Sequence, residues 1–206
     1  MVALMGAVRK EMNGVALDSL RYYGADYGLN YGAPIPALRA IARAEGADDE
    51  FARFLYRQQV RELRIIALWI AEPAKTMPAD FPFWAAGIVN SEVAEQAAQA
   101  LLSRISDIDT LLREWSSSDN ELLAYAALLA ASRSTSVGAK SAFDAVKCAV
   151  ERFSDNHLAA QGAVALLSAV AEKDKERPQV RAFLAQLSSN PTVAVLRDEM
   201  SWRLEY

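Results

Sequence analysis

Apolar residues recur at helical spacing along almost the whole chain. In one segment after another they fall at positions i, i+3, i+4 and i+7, which is the pattern of an amphipathic α-helix. Leu, Ala, Glu and Arg dominate these segments, β-branched residues are scattered, and the alternation typical of a strand is missing. The sequence therefore predicts an all-α fold.

Turn and capping residues divide this pattern into about a dozen helices. The predicted helices cover residues 2–12, 14–23, 34–44, 49–57, 60–70, 84–89, 92–103, 105–115, 121–132, 138–153, 156–171, 179–187 and 191–205. Gly24 is expected to end the second helix, since glycine suits the position that follows a helix. The predicted N-terminal caps are Asp48 or Asp49, Asn90 or Ser91, and Ser118 or Asp119. Residues 71–83 contain three prolines and are interpreted as a broken connector.

Helix pairs recur roughly every 30–40 residues, and short turns join them in consecutive order. This spacing favours a single domain over residues 1–206, an α-solenoid of about six stacked HEAT-like hairpins. The repeats share no strict internal motif, so a compact helical bundle stays open as the alternative.

Composition and charge narrow the class of protein. Hydrophobic residues make up 52% and charged residues 23% of the 206 residues, which is enough apolar material for a core. No stretch reaches the roughly 18–20 uncharged apolar residues of a membrane span, so no membrane association is expected. The N-terminus places its charges after its apolar part, unlike a secretory signal, and the cytoplasm is the expected compartment.

The net charge of −4 argues against a strongly basic nucleic-acid binder, but the charge is unevenly distributed. Residues 1–70 hold nine basic and eight acidic side chains, a net charge of +1, so the remainder carries −5. Only the N-terminal third could form a basic face.

Several kinds of catalytic site are excluded by the inventory of side chains. His157 is the only histidine and Cys148 the only cysteine, and they fall in different predicted helices, so neither a metal site nor a cofactor is expected. No nucleophile elbow or glycine-rich phosphate loop occurs. Cys148 is predicted to be a small buried apolar residue and His157 a surface residue.

Two groups of charged residues remain. The first comprises five arginines on consecutive helices, Arg39, Arg43, Arg57, Arg61 and Arg64. Guanidinium groups projecting from stacked helices would suit phosphate oxygens, although pairing with nearby glutamates is the alternative. The second group is Glu92 and Glu95, which follow Trp84. These carboxylates could do acid–base or charge-stabilising work, or could simply favour the helix dipole.

The segment NYGAPIPALRAIAR, followed by RELRIIALWIA, resembles the bacterial DNA alkylation repair family, the AlkD-like alkylpurine glycosylases built from HEAT-like repeats. The first part of the family pattern is a turn with an aromatic residue, a glycine and a proline, followed by a helix that contains Leu-Arg. The second part is a later helix that begins with an acidic residue and an arginine and continues as an apolar run. The matching residues are Tyr31, Gly32, Pro36, Leu38, Arg39, Glu62, Arg64 and the run at 65–69. Residues 119–131 and 158–176 resemble the later repeats.

The resemblance implies a right-handed, concave helical solenoid that holds double-stranded DNA along a basic channel. Arg39, Arg43, Arg61 and Arg64 are then the candidate DNA-binding residues. Active members of the family excise cationic alkylated purines, with two Trp residues and one Asp against the deoxyribose of the lesion. Such a base is already a good leaving group, so stabilising the cationic sugar is the main task.

The chain departs from the family at the residues that perform excision. Ser91 stands where the first Trp is expected, Ala165 where the second is expected, and Glu95 in place of the catalytic Asp. The family pattern also has an arginine in a later helix. Its position falls near Ala124 and Tyr125, so this arginine is missing as well. The surviving carboxylate, Glu95, is the one candidate catalytic residue.

Three functional hypotheses follow. The first is a DNA-binding relative with degenerate or altered glycosylase chemistry. The second is an active alkylpurine glycosylase that uses Glu95 with a relocated aromatic residue, Trp84 or Tyr125. The third is a scaffold that binds a protein partner and has no enzymatic activity. Whether the protein is an enzyme stays open at this point.

Overall fold

The computed structural model describes residues 1–22 and 29–205, and the predicted end of the second helix at Gly24 lies outside these residues. The described residues form thirteen α-helices and no extended strand. The helices are α1 Val2–Lys10, α2 Gly14–Tyr22, α3 Ile35–Glu45, α4 Asp49–Tyr56, α5 Arg61–Ile70, α6 Phe81–Ala85, α7 Ser91–Ala100, α8 Ile108–Ser116, α9 Glu121–Arg133, α10 Ala139–Arg152, α11 His157–Ala171, α12 Arg177–Gln186 and α13 Pro191–Arg203. None of them is long and apolar enough to cross a membrane.

The helices are arranged in two layers. Each of α3, α5, α7, α9, α11 and α13 packs against the next one in the series, and α4, α8 and α10 lie behind them on α5, α9 and α11. From α7 onward, successive helices of the first series pack against each other more extensively than α8 packs against α10. Helices approach most closely on the inner side of a curved stack, so we call the first series the inner layer and its solvent-facing side the inner surface. Helices α4, α8 and α10 form the outer layer.

Asparagine caps set the start of the later inner helices. The side chains of Asn90, Asn120, Asn156 and Asn190 each accept a hydrogen bond from a backbone N–H in the first turn of α7, α9, α11 or α13. Such a cap satisfies one of the N–H groups that have no partner within the helix. The same device thus marks the same point of four consecutive repeats. Asp48 caps α4 in the same way, as predicted.

The loop before α3 explains the glycine and the acidic residue of the sequence motif. Gly32 has φ +70°, and a Cβ atom there would lie 2.2 Å from the backbone oxygen of Asn13. The buried carboxylate of Glu62 accepts hydrogen bonds from the backbone N–H groups of Tyr31 (3.1 Å) and Ala33 (3.3 Å). These residues therefore shape the approach to α3, where the two candidate arginines 39 and 43 lie.

Small residues let α9 and α11 pack closely. Residues 124–131 of α9 are buried, and five of these eight are alanine. Gly162 of α11 faces Leu128 and Tyr125, and a Cβ atom there would lie 3.1 Å and 3.3 Å from their side chains. So little bulk at the contact lets the two helices approach closely and pack tightly, and their facing sides form part of the core.

Four local predictions were wrong. Asn120, rather than Ser118 or Asp119, caps α9. The helix predicted over 92–103 ends at Ala100 and continues as a short 3₁₀ turn. The helix predicted over 84–89 covers Phe81–Ala85 instead, because Pro82 sits in its first turn, where proline is tolerated. Cys148 is only partly buried and lines a groove between α8 and α10.

Candidate nucleic-acid interface

Arg39 is held in place by the two inner helices that follow α3. Its Nη2 atom donates a hydrogen bond to Oε1 of Gln99 at 2.6 Å, and its guanidinium carbon lies 4.6 Å from the centre of the Trp69 ring. The indole Nε1 of Trp69 in turn donates to Oε1 of Gln96 at 3.2 Å. A guanidinium stacked on an indole keeps its charge and loses much of its rotational freedom. Arg39 is therefore oriented before any ligand arrives.

Arg39 and Arg43 line the same groove, one helical turn apart on α3. The groove has a volume of about 420 Å³ and is bounded by Trp69 and the Gly46–Ala47 backbone. Arg43 is exposed, and its side chain makes no hydrogen bond or ion pair with the residues that the structure describes. Two guanidinium groups that open onto one groove form a site suited to phosphate oxygens.

Arg61, by contrast, is a structural residue. Its side chain is 4% exposed, donates from Nε and Nη2 to both carboxylate oxygens of Glu92 at 2.8 Å and 2.6 Å, and reaches Glu62 at 3.0 Å. Its Nη1 also donates to the backbone oxygen of Ala33 at 2.8 Å. This guanidinium joins α5, α7 and the loop before α3. Its guanidinium is buried and engaged by these partners, so the structure gives no support to the prediction that Arg61 binds DNA.

Arg64 is buried as well, and it points away from the groove. It is 9% exposed, and its guanidinium carbon lies 6.0 Å from the ring centre of Tyr56 on α4, behind the inner layer. Its side chain makes no hydrogen bond or ion pair with the described residues, and its buried Nε atom has no partner. The structure thus brings Arg39 and Arg43 together but places Arg61 and Arg64 elsewhere.

Glu95 is exposed on α7 and is hydrogen-bonded to α9. The hydroxyl of Tyr125 donates to Oε1 of Glu95 at 3.1 Å. Burial of the phenol, and then the adjacent carboxylate, raise the pKa of Tyr125 above its ordinary value. The phenol therefore stays protonated at neutral pH and keeps donating to Glu95. The pair offers one oriented negative charge at the inner layer.

The family model described as DNA alkylation repair enzyme matches residues 7–200, which is nearly the whole chain. The chain belongs to the DNA alkylation repair family. The resemblance inferred from residues 30–43 and 61–71 is thereby confirmed. No curated protein shows significant similarity to this DNA alkylation repair family member.

A solved structure gives the same fold for this family member. It belongs to "a new family of proteins related to the HEAT-like repeat DNA glycosylases with affinity for branched DNA structures". The TM-score is 0.75, the match covers 99% of this chain and 95% of the other, and 16% of the residues are identical. At that identity the likeness establishes the fold, and it confirms the predicted all-α architecture of HEAT-like repeats.

The positions at which the family pattern calls for tryptophan hold small, partly exposed residues in this DNA alkylation repair family member. Ser91 begins α7 and Ala165 lies on α11. Trp84 cannot replace them, because it is 1% exposed and packs against Tyr56 with ring centres 4.8 Å apart. The hypothesis that Trp84 is a relocated catalytic aromatic is therefore wrong. Tyr125 is buried too and already bonded to Glu95.

Sequence reasoning missed the residues that orient Arg39. Trp69 was interpreted only as the end of a buried apolar run, yet it is the partly exposed residue of that run. Gln96 and Gln99 are one turn apart on α7; the side-chain oxygen of Gln96 accepts from α5, and that of Gln99 accepts from α3. Two glutamines at this spacing on an otherwise alanine-rich helix were the available signal.

Proposed function

We propose that this protein binds DNA on its inner surface and does not excise alkylated bases. The observation that carries the proposal is the groove in which Arg39 and Arg43 stand side by side, with Arg39 fixed by Trp69 and Gln99. Membership of the DNA alkylation repair family makes DNA the favoured anion.

Branched DNA is the form that we propose. The solved relative of the same fold is described as having affinity for branched DNA structures. In the present chain the two arginines of the groove, Arg39 and Arg43, lie on α3 at one end of the inner layer, whereas Glu95 lies two inner helices farther along, on α7. A ligand held by few phosphate contacts gains little from a long straight duplex. A flap or a frayed branch point offers phosphates together with unpaired bases.

The side chains of the same inner surface also explain why we expect no excision of alkylated bases. A departing purine leaves a cationic sugar, which needs a carboxylate and aromatic faces around it. Here only Glu95 remains, while Ser91 and Ala165 carry no aromatic ring. The carboxylate also carries one methylene more than the Asp of the family pattern, so its oxygens are displaced by about 1.5 Å, enough to cost much of an oriented effect.

We predict that the protein releases neither 7-methylguanine nor 3-methyladenine from methylated DNA, as measured by chromatography of the free bases. Glu95→Gln should bind DNA at least as tightly as the wild-type protein, because it removes a negative charge from the inner layer. Release of either base, reduced by Glu95→Gln, would instead establish the active-glycosylase hypothesis.

Binding itself is tested by fluorescence anisotropy with a four-way junction and a linear duplex of matched sequence. We expect tighter binding to the junction, and binding to both DNAs that weakens as the salt concentration rises, because counterions compete for phosphate contacts. If neither DNA binds at low ionic strength, the proposal is wrong. The net charge of −5 after residue 70 would then favour the protein-scaffold hypothesis.

A further inference from the structure

A second cavity opens between the inner helices α11 and α13. Its volume is about 310 Å³, and Ala160, Val164, Ala165 and Val195 form its apolar part. Ala165 is the position at which the family pattern places an aromatic residue. A bulky side chain there would occupy the space, so the cavity exists because residue 165 is small. Its volume is near the lower end of ligand pockets, which suits one planar ring system better than a larger molecule.

Polar side chains border this cavity on both helices. On α11, Nε2 of Gln161 donates a hydrogen bond to Nε2 of His157 at 2.8 Å. On α13, Nη2 of Arg203 donates to Oε2 of Glu199 at 3.3 Å. Each pair keeps further donor or acceptor capacity for a ligand, because an amide and a carboxylate can each make several hydrogen bonds.

These features together match the chemistry of a nucleobase. A base has two flat apolar faces, which fit between small aliphatic residues, and an edge that carries donors and acceptors. Glutamine can bond both kinds of group on that edge, and glutamate accepts from exocyclic amines. Arg203 itself is held at the edge of the cavity, because its guanidinium carbon lies 4.5 Å from the centre of the Trp202 ring.

We infer that this cavity binds one unpaired base of the DNA. The inference rests on the proposed function, because α11 and α13 belong to the same inner layer as α3. A base inside a duplex exposes only its edges, so the entry of a whole ring costs least where the DNA is branched or frayed and the base is already unpaired. The cavity would thus explain a preference for branched DNA that two arginines alone do not provide.

The test uses a duplex with a single-stranded flap that carries 2-aminopurine at its first unpaired position, and the fully paired duplex of the same sequence. With the wild-type protein we expect a change in 2-aminopurine fluorescence and tighter binding of the flap substrate. Ala165→Trp fills the cavity. It should abolish the fluorescence change and weaken flap binding by about tenfold, the order expected for one stacked base, with duplex binding unchanged.

Ala169→Trp is the matched control, because it adds the same indole one turn farther along α11, at a partly exposed position outside the cavity. It should behave like the wild-type protein, and circular dichroism melting verifies that both variants fold. If the wild-type protein binds both DNAs without any fluorescence change, or if both variants behave alike, the inference is wrong and the proposed function stands. If the wild-type protein binds neither DNA, the proposed function fails.

Discussion

Replacing Arg39 and Arg43 together by glutamate is expected to lower the affinity for junction DNA by one to two orders of magnitude. Each arginine that contacts a phosphate releases about one counterion, so the slope of log affinity against log salt should decrease by about 2. The reversed charges also repel the phosphates. Fluorescence anisotropy at several salt concentrations measures both quantities.

The control for this variant reverses two charges on the outer layer. Arg113 of α8 and Lys147 of α10 are both exposed, and their replacement by glutamate changes the net charge by the same amount. If the groove is the binding site, this control retains most of the affinity and all of the salt slope. Equal losses in the two variants would show that only the net charge of the protein matters, and the groove would lose its role.

Arg61→Met is expected to destabilise the protein by roughly 3–5 kcal/mol, the cost of removing one partner from a buried ion pair. Glu62 has no exposed surface and its Oε2 atom already lacks a partner, so the loss of Arg61 leaves an uncompensated charge inside the protein. Urea denaturation measures the free energy of unfolding. Arg61→Met combined with Glu62→Gln should recover part of the loss, because the double variant no longer buries that charge.

Arg57→Met serves as the matched control for Arg61→Met. Arg57 is exposed and its guanidinium carbon lies 5.3 Å from the centre of the Phe83 ring, so we expect a change below about 1 kcal/mol. A loss below 1 kcal/mol for Arg61→Met as well would contradict the structural role given to Arg61. That outcome would make Arg61 available for DNA again.

The helices could be predicted because their signals are local. Apolar spacing, prolines and capping residues each act within one or two turns, and they place most of the helices to within a few residues of the observed ends.

The repeat could have been predicted more firmly as well. Asn90, Asn120, Asn156 and Asn190 stand 30–36 residues apart and cap equivalent helices. A search for recurring caps, rather than recurring apolar motifs, would have found them.

The roles of the arginines could not be predicted because they depend on packing between distant segments. Arg61 and Arg39 look alike in the sequence, since each lies in an amphipathic helix of the same N-terminal region. Arg61 meets a carboxylate 31 residues away, whereas Arg39 meets an amide 60 residues away and keeps its surface. The sequence did contain one signal of burial, because the unbroken apolar run at 65–68 indicates a central helix. In the structure the whole segment 61–68 is buried, Arg61 included.

The most direct measurement is site-specific photo-crosslinking to junction DNA. Cys148→Ser removes the only cysteine, and a new cysteine for the photoreactive reagent is introduced by Ala47→Cys beside the arginine groove or by Ser117→Cys on the outer layer. Both sites are exposed and uncharged. Binding on the inner surface predicts crosslinks from position 47 and none above background from position 117. Crosslinks mainly from position 117, or equally from both, would contradict it.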